Sequence, residues 1–213
     1  MFQEHAYNDY DLNPDPPHQP MYLKEVLRQL RAARARCVLD AGCGDGNFAE
    51  SVAQAGFNVF GMDLSPTGVR RARGRGFGHF VQSSLYESLT APFGRTTFDA
   101  IYIVEVVEHL YSPNRFASRA FEALRPGGVI VVTTPYWGYL KNLALAATNR
   151  MDAALTALWE GGHIKHFSRA TLTRLMEEAG FEAVSFYGAG QGVRAHTPFL
   201  WSGMAMTFRK PAA

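Results

Sequence analysis

Val38-Leu39-Asp40-Ala41-Gly42-Cys43-Gly44-Asp45-Gly46 decides the reading of this chain. A short apolar run ends in a carboxylate, glycines follow at alternate positions, and a helical pattern runs from about Asn47 to Gln54, closed by Gly56. Strand, glycine-rich turn and helix form the opening half of a βαβ unit. The glycines let the backbone turn sharply and let a ligand approach it closely. Outward from this turn the alternation continues. Phe57–Met62 reads as a second strand ending at Asp63, Pro66–Arg73 as a short helix, and Phe80–Gln82 as a third strand. Phe98–Val104 is a fourth, Pro113–Leu124 a helix, and Val129–Thr133 a fifth strand. Ala170–Ala179 is a helix with Ser168 as N-cap and Gly180 as stop. Ala183–Tyr187 and Leu200–Phe208 are the last strands. Upstream, Leu23, Val26, Leu27 and Leu30 recur at helical spacing between Met21 and about Arg36. Arg28, Arg31 and Arg34 read as the solvated face of that helix. Apolar runs separated by helices imply a parallel sheet covered on both faces. The final two strands have no helical pattern between them, which predicts a hairpin with one antiparallel strand. The expected fold is α/β, a doubly wound sheet of seven strands, mostly parallel with one antiparallel strand near the C-terminus.

Length and composition fit one domain. The chain has 213 residues, 47% hydrophobic and 19% charged, ordinary for a soluble globular protein. Two cysteines exclude a disulfide scaffold and suit a reducing compartment. A net charge of +2 neither demands nor forbids a nucleic-acid partner. No apolar run approaches the ~18 residues of a membrane span, and Met1-Phe2-Gln3-Glu4-His5 lacks the pattern of a signal peptide. A cytoplasmic protein is expected. Residues 1–20 are polar and proline-rich and read as an N-terminal arm; 21–213 read as the folded domain.

Two aspartates narrow the ligand. Asp40 precedes the glycines, where a carboxylate repels a pyrophosphate and attracts an ammonium group. Asp63 ends the next strand, which lies beside the first turn in a doubly wound sheet, and can accept from two ribose hydroxyls. A ligand with a ribose, a cationic amino-acid end and no phosphates is implied. S-adenosylmethionine (SAM) fits this better than NAD, and no Gly-Lys-Ser/Thr follows to make a P-loop.

Further motifs join these: Val59-Phe60-Gly61-Met62-Asp63-Leu64-Ser65, Phe98-Asp99-Ala100-Ile101, Val107-Glu108-His109-Leu110 and Leu124-Arg125-Pro126-Gly127-Gly128. With them the chain, from about Met21 to Arg209, resembles the class I SAM-dependent methyltransferases. It is most similar in appearance to the branch of ubiquinone-biosynthesis O-methyltransferases. The resemblance implies a Rossmann-like sheet. It implies that Asp40 and the backbone of Gly42, Cys43, Gly44 and Gly46 hold the methionine moiety, and that Asp63 takes the ribose. Met62 or Leu64 would pack on adenine, Ser84 and Leu85 would meet its edge, and Val104 would line the pocket near the sulfonium. Many relatives carry Asp where Ser84 stands; an uncharged hydroxyl is a weaker acceptor.

Glu105-Val106-Val107-Glu108-His109 follows the fourth strand, at the end of the sheet where such folds bind ligands. With His163, the residues Glu105, Glu108 and His109 offer donors suited to Mg²⁺, Mn²⁺ or Zn²⁺. The pattern is similar to one in catechol-type quinone methyltransferases and in small-RNA 3′-end 2′-O-methyltransferases, which use a metal. Glu-His-Leu also occurs in relatives that need none, and the metal-free alternative is preferred. There, His109 or His163 is the candidate catalytic base for an acceptor hydroxyl. His166 reads as structural.

Pro135–Gly162 is long for a connection and should form helices of its own. Its aromatic and leucine residues, among them Tyr136, Trp137, Tyr139, Leu140, Leu143 and Trp159, divide between core packing and a lid at about 136–162. Tyr7 and Tyr10 of the arm would close the site from the other side. The expected activity is methyl transfer to a nucleophile, oxygen by preference, of a small molecule, with aromatic acceptors among the candidates. Lys141, Arg150 and Lys165 are too sparse for a nucleic-acid track. The rivals are a macromolecular methyltransferase and a non-catalytic SAM-binding module.

Overall fold

The computed structural model describes residues 19–155, 157–158, 162–190 and 201–212. Its strands are β1 (Cys37–Ala41), β2 (Asn58–Asp63), β3 (His79–Gln82), β4 (Phe98–Val104), β5 (Leu124–Pro135), β6 (Glu182–Ala189) and β7 (Gly203–Arg209). Its α-helices are α1 (Gln19–Ala32), α2 (Asn47–Gln54), α3 (Pro66–Gly74), α4 (Pro113–Ala123), α5 (Tyr139–Ala147), α6 (Met151–Leu155) and α7 (Arg169–Glu178). One seven-stranded sheet runs in the order β3-β2-β1-β4-β5-β7-β6. Strands β1 to β5 pair in parallel, and β7 runs antiparallel to both β5 and β6. The order reverses between β1 and β4. Their carboxyl ends therefore open a crevice, the place where folds of this kind bind ligands.

Alternate residues of each strand feed opposite faces. Val38, Ala100, Tyr102 and Val131 pack beneath Tyr22, Val26 and Leu30 of α1, Phe48 of α2 and Val69 of α3. Leu39, Ile101, Ile103 and Ile130 pack beneath Phe116 of α4 and Leu172 and Met176 of α7. Covering both faces is why the strands read as unbroken apolar runs. Each fully buried Leu or Ile is worth roughly 1.5–3 kcal/mol. Ser65 caps α3 by accepting from Gly68 N–H, with Pro66 in the first turn. Ser168 and Thr171 form a capping box at the start of α7.

Three boundaries depart from the pattern reading. Helix α1 stops at Ala32 because Arg34 adopts a left-handed φ of 51° and Ala35 N–H returns to Leu30 C=O at 3.0 Å. Glycine usually fills that place. Strand β5 starts at Leu124, before Val129, because the Arg125–Gly128 turn is taken up as an irregularity in its pairing with β4. Gly128 must lack a side chain, since a Cβ would sit 3.0 Å from Asp99 C=O. The same turn brings Arg125 Nε to 2.7 Å from Asp99. Strand β7 begins at Gly203; Leu200 lies outside the described residues. Among those described, no helix is long and apolar enough to cross a membrane.

Candidate active site

Between β1 and α2 the chain hugs the end of β2. Gly42 N–H and Cys43 N–H both donate to Met62 C=O, at 2.8 and 3.0 Å. Gly42 has φ +85°, and a Cβ there would meet Val106 at 2.6 Å, so only glycine lets the turn lie this close to the segment after β4. Gly44 N–H donates to Asp63 Oδ2 at 2.9 Å, and Ser65 N–H donates to Asp63 Oδ1 at 2.7 Å. The carboxylate is thus fixed in orientation by two backbone N–H groups. Gly46 is the N-cap of α2, and Asp45 just before it accepts from Asn47 N–H at 3.1 Å. Arg75 clamps the turn from α3, reaching Asp45 Oδ2 at 3.0 Å and Glu50 Oε2 at 2.6 Å. Burial pushes the Cys43 thiol up, so it packs as an inert side chain.

The other positions assigned to the nucleoside lie around the same crevice. Asp40 is the buried penultimate residue of β1, and burial pushes its carboxyl well above the usual range. Leu64 is half-buried, and its C=O accepts from Gln82. Ser84 follows β3; its hydroxyl oxygen already accepts from Tyr86 N–H at 3.1 Å, and Leu85 beside it is buried. Val104 ends β4, half-buried.

Beyond β4 the two glutamates part. Glu105 takes a left-handed φ of 55°. Its N–H donates to Thr133 Oγ1, and the Thr133 hydroxyl donates back to Glu105 Oε1, both at 3.1 Å. Burial pushes the Glu105 carboxyl up to about 7, against the opposing effect of the Tyr22 and Thr133 hydroxyls. Glu108 sits in the short 3₁₀ turn Val107–His109, fully buried. Among the described residues neither of its carboxyl oxygens has a hydrogen-bond partner. Burial first, and then the charge of Glu105, push this carboxyl well above its ordinary value.

The segment carrying His163 docks onto the same turn. Glu108 C=O accepts from Ile164 N–H at 3.0 Å and from Lys165 N–H at 2.9 Å. His163 Nε2 then lies 3.9 Å from Glu108 Oε1. The His109 and His163 rings meet edge to face at 5.0 Å, and His109 Nδ1 is 3.3 Å from Gly162 C=O. Donor atoms of Glu108, His109 and His163 all fall within 4.8 Å of one another. Three of the four candidate metal ligands therefore converge. Glu105 does not join them, because its carboxyl is turned to Thr133. His166 packs against the Trp137 ring at 4.5 Å.

The aromatic insertion splits in two. Trp137 is buried, and Tyr136 packs edge-on to Phe186 at 5.9 Å. Helix α5 buries none of its side chains: Tyr139 is 78% exposed, Leu140 56% and Leu143 53%. Trp159, Tyr7 and Tyr10 lie outside the described residues. Two residues the pattern reading passed over, Tyr22 and Tyr102, bring buried hydroxyls to this end of the sheet. Each reads as core within an apolar stretch, and only the pairing of β1 with β4 sets Tyr102 beside Asp40.

Residues 18–185 match a family model described as a methyltransferase domain. A probable S-adenosylmethionine-dependent methyltransferase of Mycolicibacterium smegmatis is 34% identical over 78% of this chain and 62% of its own length. The ubiquinone biosynthesis O-methyltransferase of Dinoroseobacter shibae is 30% identical over 79% of this chain and 73% of its own. The chain spans less than two thirds of the length of several such relatives, down to 43%. In fold it matches the magnesium protoporphyrin IX methyltransferase of Synechocystis PCC 6803 with bound S-adenosylhomocysteine. That match has a TM-score of 0.67, 17% identity, and covers 91% of this chain and 83% of the other. The switch-point crevice, its glycine turn and the family match agree: this chain belongs to the class I SAM-dependent methyltransferases.

Proposed function

We propose that the chain transfers the methyl group of SAM to a hydroxyl oxygen of a small, largely apolar acceptor. The observation that carries this reading is Asp63, held by Gly44 and Ser65 N–H beside the glycine turn at the switch point. The residues present fit the nucleoside: a fixed carboxylate for the ribose, a buried carboxyl for the ammonium, and a turn too tight for side chains. When bound, SAM supplies a methyl group already activated by its sulfonium, so the protein need only place the acceptor in line and exclude water. His109 and His163, whose rings meet edge to face, supply the base that takes the acceptor's proton, a reading supported by their closeness. Oxygen as the accepting atom draws support from the O-methyltransferases among the relatives. Residues 21–213 form the methyltransferase domain, with α5 and α6 as a lid over the acceptor, and the free thiols of Cys37 and Cys43 suit the cytoplasm.

A second reading is favoured by Glu108. A buried carboxyl whose oxygens complete no hydrogen bond among the described residues, beside two imidazoles, fits a divalent cation held by Glu108, His109 and His163. Such an ion lowers the pKa of a bound hydroxyl. Turnover of SAM with phenolic and catecholic acceptors, followed as S-adenosylhomocysteine release, tests both readings. Under the first, His109→Ala lowers turnover and removes a limb of the pH–rate profile, and EDTA changes nothing. Under the second, EDTA abolishes turnover and Mg²⁺, Mn²⁺ or Zn²⁺ restores it. SAM binding without turnover of any acceptor would sink both.

A further inference from the structure

Asp40 and Tyr102 stand side by side on β1 and β4, in register across the switch point. Neighbours in a parallel pair project to the same face, so carboxyl and phenol share the side of the sheet covered by α1 and α2. Asp40 is 2% exposed and Tyr102 0%. Among the described residues, neither Asp40 Oδ2 nor Tyr102 Oη completes a hydrogen bond. The hydroxyl is nevertheless near enough to favour the ionised carboxyl. The Phe48 ring, in the first turn of α2, packs against the Tyr102 ring at 5.6 Å and fixes it. Two incompletely paired polar atoms in an apolar core are costly. Here they sit one residue below the glycine turn, where an incoming charge can complete them.

We propose that Tyr102 is a positioning residue for the amino-acid end of the bound nucleoside: its hydroxyl donates to Asp40, which then receives the ligand's ammonium as an oriented carboxylate. This rests on the assignment of the glycine turn to SAM. The other titratable groups around Asp40 are Asp63 at the end of β2 and Cys43 in the glycine turn. From α2 the neighbour is Phe48, without charge, and Tyr22 of α1 is turned to Glu105. Burial and Asp63 oppose ionisation of Asp40; the Tyr102 hydroxyl and an ammonium favour it. Without a ligand the balance is shifted toward the protonated carboxyl, and an incoming ammonium shifts it toward the carboxylate.

Calorimetry with two nucleosides tests this. S-adenosylhomocysteine carries the ammonium; 5′-methylthioadenosine carries the same adenine and ribose without the amino-acid end. Between about pH 6 and 8.5, Tyr102→Phe should weaken S-adenosylhomocysteine roughly tenfold, the deficit growing as pH falls. Binding of 5′-methylthioadenosine should not change. The wild-type protein should release a proton on binding S-adenosylhomocysteine and none with 5′-methylthioadenosine, read from buffers of different ionisation heat. An equal loss for both ligands, a loss independent of pH, or no loss overturns the proposal. So does the absence of proton release in the wild type, which needs no variant to fold. Failure of the wild type to bind either nucleoside overturns instead the underlying assignment of the turn.

Discussion

The Asp63 carboxylate accepts from two backbone N–H groups, and ribose hydroxyls would share the same two oxygens. Asp63→Ala removes bonds worth ~1.5–3 kcal/mol each and also releases Gly44 from β2. SAM affinity should fall at least tenfold by calorimetry while the far-ultraviolet spectrum keeps its α/β shape. Unchanged affinity would exclude the ribose role. Asp63→Asn should fall between, because its amide group must turn an N–H toward one of two backbone donors. At this scale the sequence placed Asp40 and Asp63 near the ends of their strands beside the glycine turn, and the structure has them there. The sequence misled where local spacing suggested a shared site. Glu105 and Glu108 are three residues apart, but the left-handed backbone at Glu105 swings its carboxyl to Thr133, 28 residues further along. No local pattern encodes that partner.

Helices with a polar cap and a glycine stop were legible as elements. α7 has Ser168 before it and Gly180 after it, and its capping box supports a prediction. Ser168→Ala should cost about 1 kcal/mol in chemical denaturation, since it frees the Thr171 N–H. A shift within error would mean that the Thr171 hydroxyl alone sustains the cap. Arg34 shows the limit: a non-glycine residue in a left-handed conformation ends α1 with no signal in its residue type. α5 was expected as a helix, but composition could not divide its aromatics between core and solvent. With Tyr139, Leu140 and Leu143 exposed, the lid reading makes a measurable demand. Amides of 139–155 should exchange faster than those of β1, β4 and β5, and should slow when nucleoside and acceptor bind. Identical exchange with and without ligands would remove the gating role.

Across the whole molecule, buried carboxyls make stability depend on pH in opposite senses at the two ends. Asp99 is partly buried, but N–H groups of Cys37 and Arg36 and the Arg125 guanidinium outweigh that burial and hold it below its ordinary value. Its contribution is present above about pH 4, the unfolded value, and is lost as pH falls through its folded value. Glu108 is held above its ordinary value by burial and by Glu105. As pH rises from about 4, the unfolded chain sheds that proton while the folded one keeps it, so stability declines. In metal-stripped protein, Glu108→Gln should therefore gain on the wild type from pH 5 to 8, with the difference smallest near pH 4. Thermal melts across that range check it, and a constant difference would mean that the carboxyl is charged in the fold. The topology also governs how the molecule comes into being. β7, the last strand in the sequence, lies between β5 and β6, both earlier in the chain. On the ribosome, β1 to β5 can zip together in order of emergence, whereas β6 waits for residues 203–209 to clear the exit tunnel. Until then the edge of β5, with Val129 to Val132, is open to any passing strand. Nascent chains stalled before Gly203 should bind holdase chaperones that those stalled well past Arg209 no longer need.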